Sequence, residues 1–471
     1  MTRAAHHRAA FVLALTIFPE VALAAGNAPS PPPASPTPAP ASPPAPAPDS
    51  EPPASFRPAQ GPLHHPHPPQ KEREQEKDDY TTKRYEPAGL PLVGGDSDIG
   101  FEFGAVGTLS YFADGVQPYR WNMDLLLSAS VKQGPNGLEI AQQNYLWQLD
   151  APGLFGGGVR LNPEASYNHT INYGYFGVGN ASKATPAPAS DPLPGRYYEW
   201  IDSFVQVRSS ARVAIRGPWA AEFAAQYLYV SPTLYEGSKL AQDAVAKNAD
   251  GSPAIYGTRP LSKPSLAAGF AYDSRDDEIF PHAGFFHEVG VRFEQGIPFD
   301  DNVRYAEAGA ILRGYVPLVG PLVLAGRLVA NLQFGDVPFY DLFQAGPFDQ
   351  KEMPGGSAGI RGVPVGRYLG PIKLVGNLEL RAMLVQFELL GQRFTVGDTL
   401  FFDTGRVWSD YSFRSPLDGN DLGLKFGVGG GVYLLWGQAA MLRVECAYSP
   451  DAVSENASLP VGIYVEDGVM F

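Results

Sequence analysis

From residue 85 to residue 471, segment after segment alternates between apolar and polar positions with a period of two. That period marks strands with one dry and one wet face. In "YRWNMDLLLSASVK" the dry set is Tyr119, Trp121, Met123, Leu125, Leu127, Ala129 and Val131, against Arg120, Asn122, Asp124, Leu126, Ser128, Ser130 and Lys132. "VQVRSSARVAIR" sorts Val205, Val207, Ala211, Val213 and Ile215 against Gln206, Arg208, Arg212 and Arg216. "KLVGNLELRAML" sorts Leu374, Leu378, Leu380 and Leu384 against Lys373, Asn377, Glu379 and Arg381, and "MLRVECAY" sorts Leu442, Val444, Cys446 and Tyr448 against Arg443 and Glu445. Alternation by itself also suits a soluble sandwich with one wet face. Length separates the two: these segments run to about 11–16 residues, where globular strands average about 5–6. A tilted crossing of a bilayer needs at least about 9–11 residues, and a sheet in lipid must close because no backbone group can stay unpaired there.

Spacing and turn residues place about fifteen such strands. The even count expected of a bacterial barrel puts a sixteenth around "KRYEPAGLPLVGG". Tight turns such as "VPLVGP" and "LLGQ" alternate with long loops near residues 172–197, 233–262 and 336–370, which predicts short turns on one rim and long external loops on the other. No segment is long and apolar enough for a membrane helix. The fold class expected is therefore all-β: a transmembrane antiparallel β-barrel of sixteen strands over residues 85–471, in the outer membrane of a Gram-negative cell.

Composition agrees. Among 471 residues, charged side chains make up 18%, with 52 Gly, 27 Phe and 23 Tyr, and the formal charge of −14 argues against a nucleic-acid partner. One cysteine, Cys446, excludes an internal disulfide framework. At the front, Arg3 and Arg8, the apolar run "AAFVLALTIF" and the small residues Ala22–Ala24 form a secretory signal peptide over residues 1–24. Residues 25–84 are too rich in proline to pack a core and read as an extended periplasmic tether. His64, His65 and His67 lie within it and read as polar linker residues rather than a metal site.

The search for catalytic chemistry finds no phosphate-binding glycine loop, no nucleophile elbow and no paired-histidine zinc helix. Asp273, Arg275, Asp276 and Asp277 in "YDSRDDE" form an acidic cluster that reads as a turn rather than an active site. His169, His282 and His287 are the remaining histidine candidates. No enzyme, catalytic residue, metal or cofactor is expected.

Several motifs fall in order at strand-like spacings: "YFGVGN" (Tyr175 to Asn180), "YDSRDDEIFPHAGFF" (Tyr272 to Phe286), "GGSAGIRG" (Gly355 to Gly362), "NLELR" (Asn377 to Arg381) and "FFDTGRVW" (Phe401 to Trp408). From about residue 98 to the end, the chain resembles the barrel domain of the BamA/TamA bacterial surface-antigen family, the outer-membrane assembly and translocation superfamily. The resemblance implies that the loop after the eleventh strand, with its Gly355, Gly356, Gly359, Ile360 and Gly362, folds back into the lumen. It further implies that Arg361 pairs there with Glu379 and Asp403 of the next two strands. The sorting of residues agrees for Glu379, which lies on its strand's polar face, and glycine permits the sharp turns such a loop needs. A guanidinium can grip one carboxylate with two parallel hydrogen bonds and share its remaining donors with a second.

Two departures from the family carry expectations. Val363 and Pro364 stand where an aromatic usually follows, which predicts a loop tip that packs less firmly. The periplasmic polypeptide-transport-associated domains of the family are replaced by the tether, which puts the client-handling half of its mechanism in doubt. The last segment, "VGIYVEDGVMF", places Val461, Ile463, Val465, Val469 and Phe471 on one face, interrupted by Asp467, and Phe471 matches the terminal signal by which such barrels are themselves recognised for insertion.

The resemblance implies a barrel that inserts or moves proteins, or lipids, through a weak seam between first and last strands. The partners implied are outer-membrane lipids, a periplasmic protein and client barrel proteins. Two other readings stand beside it: a passive pore that has lost the assembly role, and a surface-antigen barrel whose loops bind a partner.

Overall fold

The computed structural model describes residues 81–471, apart from 97–99, 117, 135–136, 184–194, 298–302, 390–391, 437–439, 453–459 and 468–469. The signal peptide and nearly all of the tether lie outside the described residues.

Among the described residues, sixteen strands of seven residues or more follow one another. They are β1 (Arg84–Asp96), β2 (Gly100–Phe112), β3 (Trp121–Gly134), β4 (Gly137–Leu154), β5 (Val159–Gly174), β6 (Glu199–Arg216), β7 (Trp219–Val230) and β8 (Leu261–Asp273). After them come β9 (Gly284–Gln295), β10 (Arg304–Pro317), β11 (Leu322–Asp336), β12 (Ile372–Leu389), β13 (Gln392–Trp408), β14 (Lys425–Trp436), β15 (Ala440–Tyr448) and β16 (Val461–Asp467). Each pairs antiparallel with its successor. The first strand lies where the even count required one. The last two, of 9 and 7 residues, are shorter than the alternation suggested.

Side chains follow the period of two. Outward positions carry Leu266, Phe270 and Phe293, which are 67%, 57% and 62% exposed on a surface that faces lipid. Inward positions of the same region carry Lys263, Arg292, Glu294 and Glu307, all buried. Charge at this depth persists because it is paired: Lys263 Nζ lies 2.8 Å from Glu294 and also contacts Asp341, while Arg292 donates to the Pro347 and Phe348 carbonyls at 3.1 Å.

Those carbonyls belong to the loop between β11 and β12, residues 337–371, which enters the barrel and supplies its core. Phe348 packs over Ala224 and Ala267, and it fits because the inner faces of β8 and β9 offer Gly269 and Gly290, where a Cβ would lie 2.8 and 2.5 Å from its ring. Nearer the rim, Tyr175, Trp200, Phe339 and Leu369 form an apolar cap. From the opposite rim the turn between β8 and β9, residues 274–283, also folds inward. Its Phe280 packs on Met383, Tyr433 and Met441, and its Glu278 pairs with Arg160 of β5 at 2.7 Å. Within it, Asp276 accepts from the His282 and Ala283 amides and Asp277 from those of Ile279 and Phe280, so this acidic cluster organises a turn.

The cylinder has one irregular place. β1 and β16 run beside each other with Cα atoms within 8 Å, yet no backbone ladder joins them among the described residues.

Candidate functional site: a buried arginine and its carboxylates

Four neighbouring strands build the site, each contributing inward positions. β12 supplies Asn377, Glu379 and Arg381, β13 supplies Phe401 and Asp403, β14 supplies Gly427 and Gly429, and β15 supplies Arg443 and Glu445. The loop lowers Arg361 onto this wall until none of its surface remains exposed. Its Nε and Nη2 donate to the two oxygens of Asp403 at 2.8 and 2.9 Å, the parallel fork that a planar guanidinium makes with a carboxylate. Its Nη1 reaches Glu379 Oε1 at 2.7 Å and Glu445 Oε1 at 2.8 Å, and its own amide donates to Asp403 Oδ2 at 3.1 Å. The Phe401 ring closes one face of the guanidinium, 3.4 Å from centroid to Cζ.

Three carboxylates around one cation would repel each other in so dry a place. Two further arginines balance them: Arg381 Nε lies 2.6 Å from Glu379, and Arg443 Nε lies 3.6 Å from Glu445. Asn377 donates to Asp403 at 2.8 Å and to the Gly359 carbonyl at 2.8 Å, which ties the loop backbone to the same acid. The structure thus brings together Arg361, Glu379 and Asp403, and adds Glu445, Arg381, Arg443 and Asn377. Each added residue sits on a polar face visible in the sequence.

Glycine makes the approach close. At Gly427 of β14 a Cβ would lie 1.9 Å from the Arg361 carbonyl oxygen, so the loop rests directly on bare backbone. In the loop the glycines serve two ends. Gly356 and Gly362 adopt φ of +95° and +91°, which L side chains avoid. Gly355 and Gly359 have ordinary φ, and a Cβ there would strike the Pro364 and Pro354 carbonyl oxygens at 2.4 and 2.1 Å. The tip is firmer than the sequence suggested. Val363 and Ile360 are fully buried among Val375, Val407 and Tyr368, so a β-branched residue fills the place expected to be slack. Burial and then the Asp451 carboxylate raise the Tyr368 hydroxyl above its ordinary pKa against the lowering effect of Arg367, so Tyr368 stays protonated and donates to Asp451 at 2.8 Å.

Phe471 is placed differently from expectation. β16 ends at Asp467, and Phe471 then turns into the lumen, 7% exposed, beside Tyr315, Val323 and Ala325. Arg327 and Arg381 lie over its ring at 5.1 and 4.7 Å, and Arg381 Nη2 donates to its backbone oxygen at 3.0 Å. It does not share the outward face of Ile463, because alternation stops where the strand stops. A cavity of about 720 Å³ fills the other half of the lumen. It is lined by amides and hydroxyls of β2–β5 such as Thr108, Asn122, Gln142 and Asn168, and it extends to Gly89, Val93, Ile463 and Val465 at the β1–β16 junction. No group of side chains arranged to hold a metal occurs among the described residues.

No curated protein matches the chain. Among solved structures, BamA from Haemophilus ducreyi lacking POTRA domains 1–3 is similar at 16% identity, with a TM-score of 0.48, over 82% of this chain and 70% of that one. CdiB from Escherichia coli is similar at 12% identity and a TM-score of 0.48, over 81% of this chain, which spans 62% of the CdiB chain. The model of the Omp85 superfamily domain matches residues 128–456, more than half of the sequence. The chain belongs to the Omp85 superfamily of outer-membrane barrels.

Proposed function

We propose that the protein helps insert or translocate proteins at the outer membrane, acting through the junction of β1 and β16, with the Arg361 loop as a latch that keeps the lumen filled while that junction works. The observation that carries this reading is the junction itself. A long edge and a short one lie side by side with no ladder between them among the described residues, and the 720 Å³ cavity reaches them. In lipid an unpaired edge is costly, which makes it a template for an incoming strand. The short β16 keeps the two edges mismatched, 7 residues against 13, and a mismatched wall thins the bilayer beside it. The latch fits the same reading, since a loop tied by three carboxylates braces the wall of β12–β15 while β1 and β16 stay free to part.

The partners proposed are client barrel proteins, outer-membrane lipids and a periplasmic protein bound by residues 25–84, which would stand in for client-handling domains. Pull-down of that segment from periplasmic extract identifies the last. A disulfide between β1 and β16 in a Cys446→Ser background is expected to stop insertion of an unfolded barrel protein into vesicles holding the purified protein. Insertion at the native rate with the junction locked would refute the reading. The inward loop and the inward turn at the opposite rim speak against a wide passive pore.

A further inference from the structure

The sequence of β1 contains Pro87 and Pro91, two residues without a backbone N–H, inside a strand that pairs without interruption with β2. A proline in a ladder removes a hydrogen bond unless its nitrogen points to the other side. In an antiparallel strand the N–H and C=O of one residue point the same way, and successive residues alternate. The direction in β1 can therefore be read from its neighbours.

The Tyr111 carbonyl accepts from the Arg120 amide at 2.8 Å, so odd-numbered β2 residues face β3. A Cβ at Gly89 would sit 3.4 Å from the Val106 carbonyl oxygen, which reaches toward β1, so even-numbered β2 residues face β1. Even residues of β2 lie opposite even residues of β1, as in Ala88 with Thr108 and Leu90 with Val106. The odd residues Tyr85, Pro87, Gly89, Pro91 and Val93 consequently direct their backbone away from β2, toward β16. On the other side, the Ser449 amide donates to the Pro460 carbonyl at 3.2 Å, in register with the β15–β16 ladder. Even residues of β16 thus face β15, while Val461, Ile463 and Val465 present intact N–H groups and carbonyls to β1.

We infer that Pro87 and Pro91 are positioning residues that hold the β1–β16 junction unzipped, by removing two donors from the one edge of β1 that meets β16. Two carbonyls of β16 have no donor to meet in any register that sets them against these prolines, and a donorless position cannot be relieved by water at lipid depth. Both neighbours, Gly89 and Val93, keep their N–H, so the edge retains enough donors to hold a strand briefly and too few to close. The inference rests on the reading of this junction as the working part of the protein, and it adds which residues set its strength.

The test restores the donors. In lipid nanodiscs, hydrogen exchange of the amides of Val461–Asp467 is followed in the native chain, in Pro87→Ala with Pro91→Ala, and in Pro264→Ala, which restores a donor within β8 far from the junction. The double variant is expected to slow exchange in β16 by roughly tenfold, the effect of one or two added hydrogen bonds, while Pro264→Ala leaves it unchanged. Unaltered exchange in the double variant, or equal slowing in Pro264→Ala, overturns the inference. Insertion of an unfolded barrel protein is measured on the same samples. Slowed exchange with undiminished insertion supports the role of the prolines and instead removes the functional reading of the junction.

Discussion

Replacing Arg361 by alanine removes the only loop side chain that touches Asp403, Glu379 and Glu445 together. Arg381 still serves Glu379 and Arg443 still lies by Glu445, but Asp403, fully buried, loses its cation and keeps only two neutral donors, the Asn377 amide and the backbone N–H of residue 361. Breaking a buried pair by deleting one partner costs about 3–5 kcal/mol, chiefly because the other charge is stranded. That cost shifts the balance between docked and released loop by roughly two to nearly four orders of magnitude. Limited trypsin digestion of the detergent-solubilised protein reads this balance. Lys247, exposed in the loop between β7 and β8, is a cleavage site with the Arg361 loop docked or released and serves as an internal reference, whereas Arg367 is buried and becomes a site only on release. In Arg361→Ala, cleavage after Arg367 is expected to rise sharply relative to cleavage after Lys247, and in Arg361→Lys, which keeps the charge and loses the fork, to rise less. Heat-modifiable gel mobility establishes that each variant is still a barrel. Resistance at Arg367 equal to the native protein in a folded Arg361→Ala barrel would falsify the assignment of Arg361 as the latch.

Three further outcomes are expected. Gly427→Ala places a methyl 1.9 Å from the Arg361 carbonyl oxygen and should cost on the order of 1–3 kcal/mol of docking, seen as the same rise in cleavage after Arg367 with all the charges intact; native resistance would show that the loop does not lean on β14. Tyr464→Phe leaves the Gly362 amide, which donates to that hydroxyl at 2.8 Å, without its acceptor, and should release the loop by about 1–3 kcal/mol, a link between latch and β16 that an unchanged digest would deny. Phe471→Ala empties the space between Arg327 and Arg381 and should lower barrel stability by about 3–5 kcal/mol, read as a lower temperature for the gel-mobility transition; an unmoved transition contradicts its packing role.

The order of most strands and the faces of those sorted were legible because they depend on local alternation, whereas the meeting of Arg361 with Glu379 and Asp403 was implied by the family resemblance, with alternation supporting only the inward position of Glu379. Glu445 was sorted to the correct face, yet its place in the site depends on the register of β12 to β15, which no local pattern encodes. The glycines of "FGVGGG" read as composition alone, although Gly427, Gly429 and Gly431 share the inner face at the strand period, with Gly427 against the Arg361 carbonyl and Gly429 beneath the Phe401 ring. Phe471 was misplaced because alternation was carried past Asp467, beyond the last paired residue. The turn after β8 was recognised from its aspartates, whose side chains cap its amides, but the reach of Glu278 to Arg160, 118 positions earlier, is a property of the curled sheet as a whole.

That inward turn has an electrical consequence. The loop with Arg361 stoppers one mouth and the turn bearing Phe280 and Glu278 obstructs the other, and they are held by separate sets of contacts. Resistances in series add, so freeing the loop alone leaves the barrier at the other mouth in place. A steady current through this protein demands that both stoppers leave together, and an Arg361 variant that flickers without conducting steadily is what two independent stoppers imply.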